Sequence, residues 1–298
     1  MALSRHSYLG VQEIHKIISL KNGEISTSAQ IYEVLICSFE KIYQILKIPE
    51  NTPINELENT LKTAHSRVKS DIDLLNLQEV LYLLKNGYIK NPLSINLFPF
   101  SLSDKRILDM LEESKQYSDF LHIEILEYGY FQGQELSEKN IKQIQDWGYE
   151  VGIDDFPCGF NHNDILMNPH IQLDFVKIDK QFSLEYEKEQ DSIKKQQHLK
   201  KLMKCMQDIL DTGFTGRIVI EGIESEEFFE KLKGKISNKI RYKKSQGGGE
   251  QQIQVLENIY LQGYFFHKKE PIKKPIISAD IIHQIQQNKT TVQQNIIR

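Results

Sequence analysis

A chain of 298 residues is long enough for two ordinary domains or for one barrel-sized domain with a full core. Its composition, 40% hydrophobic and 26% charged with a net charge of −4, is that of a soluble globular protein without a general surface for a nucleic-acid polymer. An anionic ligand would therefore have to be held by local cations or metal ions.

No run approaches the roughly 20 apolar residues of a membrane span, and the start of the chain, Met1-Ala2-Leu3-Ser4-Arg5-His6-Ser7, lacks the apolar stretch of a signal peptide. Cys37, Cys158 and Cys205 are odd in number and widely spaced, which fits neither a disulfide framework nor a zinc cluster. The expected compartment is a reducing cytosol, so a cytoplasmic location.

Leu9 to Leu20 alternates loosely and is rich in Ile and Val, and Lys21-Asn22-Gly23-Glu24 carries the Asn-Gly signal of a tight hairpin. A second strand is predicted from about Ile31 to Cys37. So short a connection cannot hold a crossover helix, which makes the first two strands antiparallel. Ser38 to Lys85 reads as helical, broken near Pro49 and Pro53, with apolar spacing at Leu75, Val80, Leu81 and Leu84.

Strand and helix then alternate. Strands are predicted at Pro92–Phe98, Leu121–Leu126, Glu150–Asp154, Leu173–Lys177, Arg217–Glu221 and Asn258–Tyr264. The clearest helix between them carries the stripe Leu199, Leu202, Met203, Met206, Ile209 and Leu210, closed by Gly213, and reads as core. Apolar strands alternating with helices argue for a parallel sheet covered by helices, and eight strands suggest closure. The expected fold is an α/β (β/α)8 TIM-like barrel with an antiparallel first strand, over residues 1–283. Gly234 to Gln252, Lys/Arg-rich and then Gly-rich, reads as a flexible insertion, and 284–298 as a polar C-terminal tail. Neither marks a second domain.

Val151-Gly152-Ile153-Asp154-Asp155-Phe156 is a short apolar run ending in two adjacent carboxylates. Neighbouring aspartates repel unless a cation lies between them, and hard oxygen ligands suit magnesium or manganese. Polar residues also fall on or beside the ends of the other strands: Glu33, Asn96, Glu124, Lys177, Glu221 with Glu224 beyond it, and Gln262. In a barrel the C-terminal strand ends converge on one mouth, where active sites are built. So many converging carboxylates require counter-cations. Cys158 reads as a small loop filler, because no activating histidine can be named beside it, and the nine histidines show no metal-ligand spacing.

These residues carry a resemblance over nearly the whole chain. Glu33-Val34-Leu35, Ser94-Ile95-Asn96, Glu124-Ile125-Leu126-Glu127, Asp154-Asp155-Phe156, Lys177-Ile178-Asp179, Glu221-Gly222-Ile223-Glu224 and Gln262-Gly263-Tyr264 resemble, in order, the motifs of the EAL-domain cyclic di-GMP phosphodiesterases. The resemblance implies two magnesium or manganese ions. Glu33, Asn96, Glu124 and Asp154 would hold one, and Asp154, Asp155 and Glu221 the other.

It also implies hydrolysis of cyclic di-GMP to linear pGpG, with Lys177 orienting the attacking water and Glu221 completing the catalytic set. Glu224 and Gln262 would stand behind the ligands, bonded to water or substrate, and Glu127 would steady the loop after Asp155. A homodimer is implied by resemblance alone, and no GGDEF, PAS or receiver-like segment accompanies the barrel.

Three departures fall around the substrate and the loop after the aspartates. Ile36-Cys37 stands where the family has Leu-Arg, whose arginine contacts a substrate phosphate, and cysteine cannot make that forked contact. Pro157-Cys158-Gly159-Phe160-Asn161 replaces the usual Gly-Thr-Gly-Tyr-Ser, and proline removes an N–H donor. Leu126 replaces a threonine. They leave two other readings open: a degenerate EAL domain acting as a non-catalytic cyclic di-GMP receptor or protein-interaction module, and a metal phosphodiesterase for another nucleotide.

Overall fold

A computed structural model describes residues 11–19, 25–34, 39–49, 52–87, 92–126, 138–157, 163–245 and 259–267. Eight strands close into a barrel in chain order: β1 (Val11–Ser19), β2 (Ile25–Val34), β3 (Leu93–Leu97), β4 (Leu121–Leu126), β5 (Val151–Phe156), β6 (Phe175–Ile178), β7 (Arg217–Ile220) and β8 (Ile259–Gln262). β1 runs antiparallel to both β2 and β8, and the remaining pairs from β2 to β8 are parallel.

The helices are α1 (Phe39–Leu46), α2 (Ile54–Thr63) and α3 (Ser66–Lys85) between β2 and β3, then α4 (Lys105–Glu113), α5 (Glu138–Asp146), α6 (Asn163–Met167), α7 (Gln181–Lys188), α8 (Ser192–Asp211), α9 (Glu226–Ser245) and α10 (Tyr264–His267).

Period-two alternation along the strands separates two environments. Leu93, Ile95 and Leu97 on β3, Leu121, Ile123 and Ile125 on β4, and Ile218 and Ile220 on β7 join one buried cluster with the apolar stripes of the helices. The main core therefore lies between sheet and helices. The alternate residues face inward and are largely polar: Ser94 and Asn96 pair in register with His122 and Glu124, and Lys177 lies level with Val219. Val219 and Tyr260 form a separate apolar cluster.

At the N-terminal end of the strands, Glu150 pairs with Arg217 and with His122, while the Arg217 guanidinium lies over the rings of Phe175 and Tyr260. This network closes the lower end, and the opposite end carries the acids. No helix among the described residues is long and apolar enough to cross a membrane.

Three expectations need correction. β2 begins at Ile25, not near Ile31, because pairing of Ser26, Thr27 and Ser28 with β1 makes strand of a polar stretch that reads as loop. β5 runs on to Phe156 through both aspartates. The stretch read as an insertion from Gly234 begins inside α9, which continues to Ser245: Phe228, Leu232 and Ile236, four residues apart and fully buried, hold one helical face on the barrel. Residues 246–252 and the tail 284–298 lie outside the described residues.

Candidate metal centre at the barrel mouth

Asp154 and Asp155 are consecutive, so a regular strand would turn their side chains to opposite faces. Two features remove that conflict. The β5–β6 register shifts between Ile153 and Phe156, and Asp155 takes a left-handed backbone with φ of 53°, a conformation that aspartate tolerates better than most residues. As a result Asp154, Asp155 and Glu221 each present a carboxylate oxygen within 4.8 Å of the others.

Lys177 enters the same group from β6. Its ammonium lies 2.8 Å from Glu124, 3.0 Å from Asp154 and 2.8 Å from Glu221. Glu124 and Lys177 are fully buried, and Asp154 and Glu221 are buried. Asn96 comes level with Glu124 through the β3–β4 register. Glu33 pairs with Ser94 across β2–β3, which puts its backbone on the same inward row; its side chain lies outside the described set.

Beyond the strands, two turns are locked together. The Ile223 N–H donates to the Gln262 carbonyl at 3.0 Å. A Cβ on Gly263 would lie 2.1 Å from the Ile223 carbonyl oxygen, so only glycine permits this approach. The turn after β7 is held from the other side, where the Ser183 hydroxyl donates to the Glu221 carbonyl at 2.5 Å. Gln262 is buried inside the barrel and Glu224 is half-buried in the β7–α9 turn.

Burial foremost, then the charges of Asp154 and Asp179, push the Asp155 carboxyl up to about 6. Lys180 and Lys177 oppose that shift without cancelling it. Around Lys180 itself partial desolvation disfavours the charge, yet Asp155, Glu221, Asp154 and Asp179 outweigh it and raise the pKa. The mouth thus carries more negative charge than its lysines balance. Three clustered hard oxygen donors with that excess fit a divalent cation, so the residues present suit the metal that the resemblance implies.

Of the sequence-predicted site residues, the structure brings together Glu124, Asp154, Asp155, Lys177 and Glu221, with Asn96, Gln262 and Glu224 on the surrounding strand ends and turn. Glu127, Cys37 and Cys158 lie outside the described residues. Cys205 on α8 is buried, and burial pushes its thiol up to about 12, so it stays protonated. Two groups escaped the sequence reading. Lys180 had only its place directly after Lys177-Ile178-Asp179 as a signal. Asp73 and Lys69 on α3 are buried under the turn that follows Asn96, where the Asp73 carboxylate accepts the Phe98 N–H at 2.7 Å; nothing in the helical pattern marks them.

Comparison with known proteins agrees with this geometry. The cyclic di-GMP phosphodiesterase PdeA of Borreliella burgdorferi is 25% identical over 227 residues, which are 74% of this chain and 29% of that protein. BlrP1 of Klebsiella pneumoniae, solved at pH 8.0 in complex with calcium and cyclic di-GMP, gives a TM-score of 0.51 at 19% identity, over 89% of this chain and 57% of that one. A standalone EAL protein of Vibrio cholerae, solved with cyclic di-GMP, gives 0.52 at 18% identity, over 89% and 92% of the two chains. The chain spans less than a third of PdeA and little more than half of BlrP1.

The EAL domain family model matches residues 46–234, a stretch that contains Asn96, Glu124, Asp154, Asp155, Lys177, Glu221 and Glu224 and leaves Glu33 and Gln262 on either side. With a closed barrel, the acids at its mouth and a family match over most of the chain, this protein belongs to the EAL domain family.

Proposed function

We propose that this chain hydrolyses cyclic di-GMP to linear pGpG with the help of two magnesium or manganese ions. The observation that carries the reading is the convergence of Asp154, Asp155 and Glu221 within 4.8 Å beside the buried Lys177 ammonium. Glu33, Asn96, Glu124 and Asp154 would hold one ion, and Asp154, Asp155 and Glu221 the other. When bound, such ions lower the pKa of an attacking water and neutralise charge on the phosphoryl oxygens.

The protein's own groups supply the rest. Lys177 orients the water and fixes a positive charge among Glu124, Asp154 and Glu221, so the acids keep their spacing when substrate enters. Gln262 and Glu224 bond to water or substrate from behind the ligands. Glu127 steadies the loop after Asp155. Glu124 and Lys177 are fully buried, and a low local dielectric strengthens the contacts between them. A cytoplasmic homodimer is the assembly that accompanies this reading.

The receptor reading draws on one specific feature: Cys37 and Pro157 stand where the family carries an arginine and a glycine. Hydrolysis of cyclic di-GMP with Mn²⁺ or Mg²⁺ separates the two. Turnover that is lost in EDTA and in a Glu33→Ala variant supports the enzyme, whereas binding measured by calorimetry without turnover supports the receptor. Faster turnover of an unrelated cyclic nucleotide would move the substrate assignment.

A further inference from the structure

The cations nearest this mouth differ in what they have left to offer. The Lys177 ammonium has three N–H donors, and Glu124, Asp154 and Glu221 stand within 3.0 Å of it in a fully buried setting. Nothing remains for an incoming phosphate. Lys69, near the end of β3, is 5% exposed, with its ammonium 5.1 Å and 5.7 Å from the ring centroids of Phe98 and Phe100.

Lys180 is different. It caps the start of α7 in the turn that leaves β6, it is exposed, and it forms no ion pair within 4 Å among the described residues.

Its position is nevertheless fixed. The preceding residue, Asp179, donates its N–H to the Phe156 carbonyl at 2.9 Å, and the Lys180 carbonyl accepts the Leu184 N–H at 2.8 Å. Gly222, next to Glu221, packs so closely that a Cβ there would lie 3.0 Å from the Lys180 Cβ and 3.1 Å from its carbonyl oxygen. The stem of Lys180 is therefore held between the ends of β5 and β7, the two strands that bear the acid cluster. Rooted against the glycine that follows Glu221, its four-carbon stem is long enough to carry the ammonium to the rim of the acid cluster, whose charges favour its protonated form. A lysine there is a point charge with mobile donors, suited to a phosphate oxygen.

We propose that Lys180 is a substrate-binding residue of this site, donating to a non-bridging phosphate oxygen of the cyclic dinucleotide. This inference rests on the phosphodiester reading above and deepens it: the ligand's charge is met in part by a protein cation whose stem the fold holds in place and which the acids do not consume. The competing account makes Lys180 only a balancing charge for the carboxylates. That account gives it no role in nucleotide affinity.

The test uses the full chain and its Lys180→Ala, Lys180→Gln and Lys180→Arg variants, with melting curves to confirm folding. Binding of cyclic di-GMP is followed by calorimetry in Ca²⁺, initial rates are measured in Mn²⁺, and Mn²⁺ alone is titrated as the control. Removing one charge-assisted hydrogen bond is expected to weaken dinucleotide affinity and raise KM about tenfold, with kcat little changed and Mn²⁺ affinity not weakened. Lys180→Arg should recover most of the loss.

Equal dinucleotide affinity in wild type, Lys180→Ala and Lys180→Gln would overturn the proposal and leave the phosphodiester reading intact. If the wild-type chain takes up Mn²⁺ but neither binds nor hydrolyses cyclic di-GMP, the substrate reading falls and this inference with it.

Discussion

The ammonium of Lys177 lies 2.8 Å from a carboxylate oxygen of Glu124, and neither side chain is exposed to solvent at all. A buried pair of this kind contributes less than its Coulomb attraction suggests, because both charges have been desolvated, but removing one member leaves the other uncompensated at a cost of about 3–5 kcal/mol. Here the stranded group would be three carboxylates, since Asp154 and Glu221 share the same ammonium.

Replacing Lys177 with Met should therefore lower the melting temperature in EDTA, and Mn²⁺ should restore most of the loss, because a divalent ion can supply the positive charge that the carboxylates have lost. Hydrolysis should be lost in the same variant. A melting curve of Lys177→Met that Mn²⁺ shifts no more than it shifts wild type would contradict this charge balance.

Asp73 gives a second, pH-dependent expectation. Burial is the main cause that pushes its carboxyl up to about 7, against opposing contacts from Ser101, Phe98 and Lys69. Its folded pKa lies above the unfolded value of 3.8, so the stability it contributes is fully present below about pH 4 and is lost as pH rises through 7. Asn at this position keeps an oxygen for the Phe98 N–H, which Asp73 now binds at 2.7 Å, and has no proton to lose.

Relative to wild type, Asp73→Asn should gain stability between pH 5 and pH 8, by a few kcal/mol, because wild type loses about 1.4 kcal/mol for each pH unit climbed until its buried carboxyl ionises. Urea unfolding at the two pH values measures it. An unchanged difference between the proteins would refute the assignment of the burial cost to Asp73.

These two cases mark the limit of what the sequence discloses. The boundaries of β4 are legible because Leu121, Ile123 and Ile125 alternate with His122 and Glu124 without interruption, and the observed strand is Leu121–Leu126. The two aspartates are legible as a metal motif, but their sharing of one face is not. That depends on the left-handed backbone at Asp155 and the shift of the β5–β6 register beside it, and neither has a residue signature. Lys69 and Asp73 look like the polar face of an amphipathic helix; only the turn after β3 folding over them makes them core. Lys180 is a lysine among many until the chain closes and Gly222 packs on its stem.

His122 at the lower end of the barrel provides an independent check on the polar interior. Burial first, then the charge of Arg217, depresses its imidazole to about 3, with Asp174 opposing. The approach of its Nε2 to Glu150 at 3.2 Å then involves a neutral ring and is not an ion pair at neutral pH. Since the folded pKa lies below the unfolded one, His122 contributes stability that is present above about pH 6.5 and is lost as pH falls toward 3. Two-dimensional NMR should show one imidazole that does not titrate between pH 8 and pH 4. His122→Gln should be less sensitive to acid than wild type, and a His122 resonance titrating near 6.5 would contradict the burial argument.

The contact between the β8 end and the turn after β7 makes the sharpest structural prediction. Gly263 sits where an added Cβ would approach the Ile223 carbonyl oxygen to 2.1 Å and the Ile223 nitrogen to 2.4 Å. Both atoms are backbone, so no side-chain rotation can relieve the overlap, and the two turns must separate. Separation would break the bond from the Ile223 N–H to the Gln262 carbonyl and carry Glu221, two residues upstream, away from Asp154 and Asp155. Gly263→Ala should therefore cost on the order of 3 kcal/mol of stability and also weaken Mn²⁺ binding, whereas Gly234→Ala, on the exposed side of α9 with nothing within 4 Å of its Cβ, should be neutral or slightly stabilising through helix propensity. Calorimetric melting and Mn²⁺ titration of the two variants, side by side, distinguish a lesion at the mouth from a general response to an added methyl group.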